Sequence, residues 1–155
     1  MDISIRQTTV IPTLMHWRKI VLRNVFGEEP PKAILLANRR YYIEHIADRT
    51  HIAIIATVDG TDAGCGGICL TEELPSPDNP SGRCAYLMNI FVAEEYRHRG
   101  IGGVIVRWLV DKARQSGCDK IYLETTKEGK PVYEKAGFRE LPGIMKYEDT
   151  EDSKS

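Results

Sequence analysis

Apolar residues recur along this chain with two periods, and the switches between them divide it into elements. Ile3-Ser4-Ile5-Arg6-Gln7 alternates, which predicts a short half-buried strand. Between Thr9 and Phe26 the apolar residues Leu14, Trp17, Val21, Leu22 and Val25 follow a helical repeat, with Pro12 tolerated near the start and Gly27 and Pro30-Pro31 as stops. A second helix is expected from Pro31 or Lys32 to Asp48, with Ile34, Leu35, Tyr41, Tyr42 and Ile46 facing inward. His51 to Val58 and Ala63 to Thr71 are β-rich and flank the turn Asp59-Gly60-Thr61-Asp62, so they predict a hairpin. Glu72 to Gly82, broken by Pro75, Pro77 and Pro80, reads as a loop. Arg83 to Val92 is the next strand, Val104 to Ala113 carries helical periodicity that extends to Gln115, and Gly117 stops it. Lys120 to Thr125 is β-branched and aromatic, a helix starts at Pro131, and Ile144 to Tyr147 reads as a last strand.

This order predicts an α/β (mixed α+β) fold, a mixed sheet with helices on both faces. No repeat or linker divides the chain. Residues 1–148 are expected to form a single domain and 149–155 an acidic flexible tail. With 155 residues, the chain can bury its own core. A balance of 21 basic and 22 acidic residues gives no bulk charge that favours nucleic acid or membrane, and neither is expected as a partner. No run is long enough to span a bilayer, and Met1-Asp2-Ile3-Ser4 has no signal pattern, so the expectation is a soluble cytoplasmic protein. Cys65, Cys69, Cys84 and Cys118 lack ligand spacing, so they are read as small buried hydrophobes and no metal site is expected.

The chemistry concentrates in Arg97-His98-Arg99-Gly100-Ile101-Gly102-Gly103, between the apolar strand Tyr86 to Val92 and a helix. A strand, a Gly- and Arg-rich turn and a helix start form a place to hold phosphate. Free N–H groups of the first helical turn point at the ligand, and the helix dipole favours an anion. A nucleotide-triphosphate loop would need Gly-Lys-Ser/Thr where Gly103-Val104-Ile105 stands, and a dinucleotide fingerprint would need a glycine at Ile105.

Arg97-x-x-Gly100-x-Gly102 resembles the pyrophosphate loop of the GNAT superfamily of acyl-CoA-dependent N-acyltransferases, and Tyr133-Glu134-Lys135-Ala136-Gly137-Phe138 resembles the signature that closes its domains. The resemblance implies the GNAT fold, with a mostly antiparallel twisted sheet. It also implies transfer of the acetyl group of acetyl-CoA to an amine. It assigns Arg97, His98, Arg99, Gly100, Ile101, Gly102 and Gly103 to the pyrophosphate. It assigns the backbone of Ile90, Phe91 and Val92 to the pantetheine arm, with an N–H near Ile90 as oxyanion donor, and Tyr133 as the acid that protonates the departing thiolate.

Two family positions differ. Tyr86 stands where some members carry a glutamate base, eleven residues before Arg97, and Thr126 stands where many carry an asparagine that contacts the cofactor, a contact the Thr126 hydroxyl can still make with one bond. Asn89, polar within an apolar run, is a candidate to hold the amine or a water, or else an edge or bulge residue bonded to backbone. Tyr42, Glu44 and His45 are candidates for the acceptor side. The acceptor stays open between a small-molecule amine and a peptide, and loop acids such as Glu72, Glu73 and Asp78 would suit a cationic one. A homodimer is one assembly left open. A catalytically silent acyl-CoA sensor on the same fold is the alternative to an enzyme.

Overall fold

The computed structural model describes residues 1–150. The elements run β1 (Ile3–Gln7), α1 (Ile11–Phe26), α2 (Lys32–Ala47), β2 (His51–Val58), β3 (Thr61–Glu72), β4 (Arg83–Val92), α3 (Ile101–Gln115), β5 (Lys120–Leu123) and α4 (Lys130–Lys135). One sheet holds the strands in sequence order, β1-β2-β3-β4-β5. Every pairing is antiparallel except β4 with β5, which α3 connects as a crossover. The β2–β3 hairpin turns on Asp59 and Gly60, both at positive φ (49° and 82°), the mirror-image turn that matches strand twist.

β2 shows why the sheet has helices on both faces. Ile52, Ile54, Ala56 and Val58 alternate onto one face and pack with Ile101, Ile105, Leu109 and Ala113 of α3. Ile55 packs with Trp17 and Val21 of α1, and Ala53 with Leu14 of α1 and Tyr42 of α2. A strand buried on both faces gains from apolar residues at every position, and β2 has them almost throughout.

Glycines in β3 let its neighbours approach. A Cβ at Gly66 would lie 2.9 Å from Ile105 and 3.0 Å from Leu109. One at Gly64 would lie 2.5 Å from the Phe91 carbonyl oxygen.

The last expected strand does not form. Pro142 and Gly143, the latter at φ 88°, turn the chain just before Ile144. Ile144, Met145 and Tyr147 then stand 65%, 94% and 82% exposed outside regular structure. Alternation over four residues offers too little apolar surface to anchor a strand. Ile34 and Val25, both expected inside, are exposed, because neighbouring turns of α1 and α2 already cover that face of the sheet. Of the expected acidic tail, residues 151–155 lie outside the described part of the chain.

Two features open the sheet. β5 pairs only with Cys84–Leu87, so Met88–Val92 continue without a neighbour on that side. At the same point the β3–β4 register shifts: Cys65 faces Phe91 and Gly67 faces Met88, leaving Asn89 and Ile90 opposite Gly66 alone. Asn89 takes φ 57°, a conformation that asparagine tolerates better than most residues.

Candidate active site

The loop after β4 ends in a helix start that leaves its donors free. A 3₁₀ turn over Glu94–Tyr96 precedes it, His98 (φ 63°) and Gly100 (φ 80°) adopt left-handed conformations, and α3 begins at Ile101 with no side-chain cap and no acid in its first turn. The first bond into the helix is Val104 N–H to the Gly100 carbonyl. Among the described residues, no backbone N–H from His98 to Gly103 donates to another protein group. Such a run of donors at a helix N-terminus is an anion cradle.

The arginines of the loop take defined positions. Arg97 Nε donates to the Val92 carbonyl at 2.9 Å, with its guanidinium 5.3 Å from the Phe91 ring, and Arg99 lies 5.8 Å from the Tyr96 ring. Arg97 therefore ties the end of β4 to the loop. Ile90 and Val92 pack toward α3, and Phe91 toward Trp17 at 6.4 Å, so these side chains are core while their backbone borders the opening.

On the α1/α2 face, a cavity of about 350 Å³ lies over the bulge, lined by Arg18, Ala37, Asn38, Tyr41, Tyr42, His51, Cys69, Tyr86, Met88 and Asn89. Arg18 Nε donates to Asn38 Oδ1 at 2.8 Å and Nη1 to Asn89 Oδ1 at 2.9 Å. Asn89 also donates to the Tyr42 hydroxyl at 3.5 Å, and its carbonyl accepts from the Cys65 thiol at 3.2 Å. The bulge residue is thus held through both side chain and backbone, with its carboxamide at the cavity wall.

Beside it, the Tyr41 hydroxyl lies 2.8 Å from His51 Nδ1 and 2.9 Å from Cys69 Sγ. A chain from thiol to phenol to imidazole satisfies all three groups. Gly67 makes room, since a Cβ there would lie 2.9 Å from His51 Nε2. Burial, then His45 and Arg18, lowers the His51 pKa to about 4, and burial raises the Cys69 pKa. Burial pushes Tyr42 up to about 12 against the pull of Arg18. Tyr86 is pushed up to about 12 by burial and then by the Glu124 carboxylate, and its ring lies 5.1 Å from that of Tyr122.

The buried imidazole makes stability depend on pH. The folded state holds His51 neutral down to about pH 4, whereas the unfolded chain protonates it near 6.5. Between these values the unfolded state binds more protons, so stability falls as pH drops through that window. The full loss for a shift of this size is about 3 kcal/mol. Urea midpoints at pH 7 and 4.5 should separate more for the wild type than for His51→Gln. Equal separations would show that His51 does not carry the effect.

Tyr133 is placed by a different set of contacts. Thr126 Oγ1 accepts from Gly129 N–H at 3.2 Å, and the Thr126 carbonyl accepts from Lys130 N–H, so the expected cofactor contact Thr126 closes the turn into α4. A Cβ on Gly129 would lie 2.8 Å from Thr125 Oγ1 and 3.3 Å from the Tyr133 ring. That glycine lets the ring lie against the turn. The ring meets Phe138 edge-on at 6.1 Å, and burial holds the hydroxyl above its usual pKa, keeping it protonated at neutral pH. The ring borders a cleft of about 570 Å³ between β5, α4 and the segment after Phe138. This cleft and the cavity at Asn89 share no lining residue, so the two expected catalytic side chains are not brought into one cavity.

Of the expected acceptor residues, Tyr42 lines the cavity, Glu44 is exposed, and His45 bonds Thr50 at 2.6 Å. Arg18, Asn38, Tyr41 and His51 were not anticipated there. The available signal was Arg18 itself, a charge on the inward stripe of α1 between Leu14 and Val21.

Residues 12–138 match the acetyltransferase (GNAT) family. A rice (Oryza sativa subsp. japonica) glucosamine 6-phosphate N-acetyltransferase 1 is 39% identical over 121 residues, covering 77% of this chain and 72% of that one. The thialysine N-epsilon-acetyltransferase of Sus scrofa is 30% identical over 95 residues, 47% of this chain and 56% of its own length. The chain spans only 36% of a second rice relative, a probable glucosamine 6-phosphate N-acetyltransferase 2. In fold, it matches a Clostridium acetobutylicum acetyltransferase crystallised with acetyl-CoA (TM-score 0.83, 24% identity, 95% and 96% of the two chains). It also matches the Arabidopsis thaliana glucosamine-6-phosphate N-acetyltransferase (TM-score 0.70, 19% identity, 96% and 99%). The chain belongs to the GNAT acetyltransferase family.

Proposed function

We propose that this protein is an acetyl-CoA-dependent N-acetyltransferase whose acceptor is a small-molecule amine. The observation that carries the reading is the run of undonated N–H groups from His98 to Gly103, next to the stretch of β4 that β5 leaves open. These are the two surfaces that a pyrophosphate and an amide-bearing arm require. Family membership supports the chemistry. The modest volume of the cavity at Asn89, and relatives named for glucosamine 6-phosphate and thialysine, support a small acceptor over a protein.

Acetyl-CoA supplies the acetyl group as an activated thioester. In this reading the N–H groups of the loop hold the pyrophosphate, with Arg97, Arg99 and His98 at its border and Thr126 near the cofactor slot. The backbone of Ile90, Phe91 and Val92 aligns the pantetheine amides, and the Ile90 N–H stabilises negative charge on the thioester oxygen. Asn89 holds the amine, or the water that takes its proton. As the new C–N bond forms and the C–S bond breaks, the Tyr133 hydroxyl gives a proton to the sulfur.

Free thiol release from acetyl-CoA, measured across a panel of amino acids, amino sugars, polyamines and lysine peptides, tests this. Turnover of small amines with peptides untouched is expected. Acetylation of the peptides alone would overturn the small-molecule reading, and no turnover of any amine would favour a silent acyl-CoA sensor.

A further inference from the structure

We infer that the acceptor amine carries an anionic group, a carboxylate or a phosphate, and that Arg18 holds it. The inference rests on the small-molecule reading above and adds the substrate's charge. Arg18 is half-buried in the wall of the 350 Å³ cavity. Its Nε and Nη1 are spent on the neutral amide oxygens of Asn38 and Asn89. Among the described residues every ion pair lies elsewhere, and no aspartate or glutamate lines the cavity.

The other titratable groups of that wall are Tyr41, Tyr42, Tyr86, His51 and Cys69. All are neutral near pH 7: burial leads the upward shift of the phenols and the thiol and the downward shift of the imidazole. Among the lining residues Arg18 therefore carries the one charge, partly shielded from solvent and in no ion pair; the Glu124 carboxylate acts on the wall through Tyr86. A half-buried guanidinium gains most from a ligand anion, and the N–H groups left on Nη2 and Nη1 can meet the paired oxygens of a carboxylate or phosphate.

The same charge acts against a bare amine. Amines enter from water largely as cations, and a cationic cavity repels them unless they bring a compensating anion. Polyamines are thus disfavoured, and zwitterionic or phosphorylated amines are favoured. The Arg18–Asn89 bond adds a geometric rule. One side of the Asn89 carboxamide is fixed to the anion-binding group, while Asn89 itself sits where the sheet opens. Anion and amine are then held a short, set distance apart, which selects compact acceptors.

Matched pairs test the inference: lysine against cadaverine, phosphoethanolamine against ethanolamine, and glucosamine 6-phosphate against glucosamine. Thiol release is measured with wild type, Arg18→Gln and Arg18→Lys, each checked for thermal stability and acetyl-CoA affinity. For at least one pair, the anionic member should have a KM about 10–100-fold below its partner. Arg18→Gln should erase that difference, raising the KM of the anion-bearing member and relieving the repulsion of its anion-free partner, with acetyl-CoA affinity within about twofold of wild type, and Arg18→Lys should restore part of the difference. The carboxylate and phosphate pairs separate the two sources of the anion. Anion-free members used as well as anion-bearing ones would overturn the inference while leaving the small-molecule reading intact. So would an Arg18→Gln variant that lowers kcat equally on both members, since Arg18 would then only position Asn89. Acetylation of peptides with no small amine used would instead remove the reading beneath it.

Discussion

Tyr133→Phe should lose about 10²–10⁴-fold in kcat, the usual worth of one general acid, with packing and acetyl-CoA affinity nearly unchanged. The substitution keeps the ring, and the contacts the structure records for Tyr133 are made by its ring and backbone: the edge-on meeting with Phe138, the approach to Gly129, and a carbonyl that accepts from Phe138 N–H. Among the described residues no hydrogen bond is made by its hydroxyl, so removing it leaves no protein group without a partner. The hydroxyl must remain protonated to act. Because burial raises its pKa above 10, the wild-type rate should hold through neutral pH and fall only when the pH passes that raised value. Steady-state kcat against pH, with melting temperatures for both proteins, makes the comparison. Equal kcat in an equally stable Tyr133→Phe would remove the hydroxyl from the chemistry and leave Tyr133 as a wall of its cleft. That result matters because Tyr133 and Asn89 border different cavities, and a cofactor must bridge them for both to act together.

Most of the frame could be read from local chemistry. The Asp59-Gly60 turn, the two periods of apolar residues and the Gly-rich start of α3 each depend on residues close in sequence, and each formed as expected. The β-strand expected at Ile144–Tyr147 failed because a strand needs a partner, and nothing in four residues shows whether one is within reach. Asn89 was legible as a polar residue out of place, a candidate for the amine or for an edge or bulge. That it sits at a bulge, at φ 57°, depends on the β3 register and on Gly66 lacking a side chain opposite it. The acceptor cavity was the least legible part. Arg18, Asn38, His51 and Asn89 come from four separate elements, and their bonds span up to 71 positions, as between Arg18 and Asn89. Only tertiary packing could join them. Arg18 on the inward stripe of α1 was the one trace left in the periodicity.

The most direct test of the site is calorimetric titration of acetyl-CoA into wild type and Gly102→Asp. Gly102 lies in the first turn of α3, inside the run of free N–H groups, and a Cβ there would meet only Val132, at 3.9 Å. The aspartate should therefore be accommodated. With no other acid in that turn, it should stabilise the ligand-free helix by about 0.3–1 kcal/mol through the dipole. The same carboxylate would stand where the pyrophosphate binds, and a like-charge contact costs several kcal/mol, so affinity should fall by about 10²–10³-fold. Opposite signs are expected: a melting temperature equal to or above wild type, and acetyl-CoA affinity reduced by that factor. A folded Gly102→Asp that binds acetyl-CoA within about threefold of wild type would contradict that expectation, and the cradle at the head of α3 would not be the cofactor site.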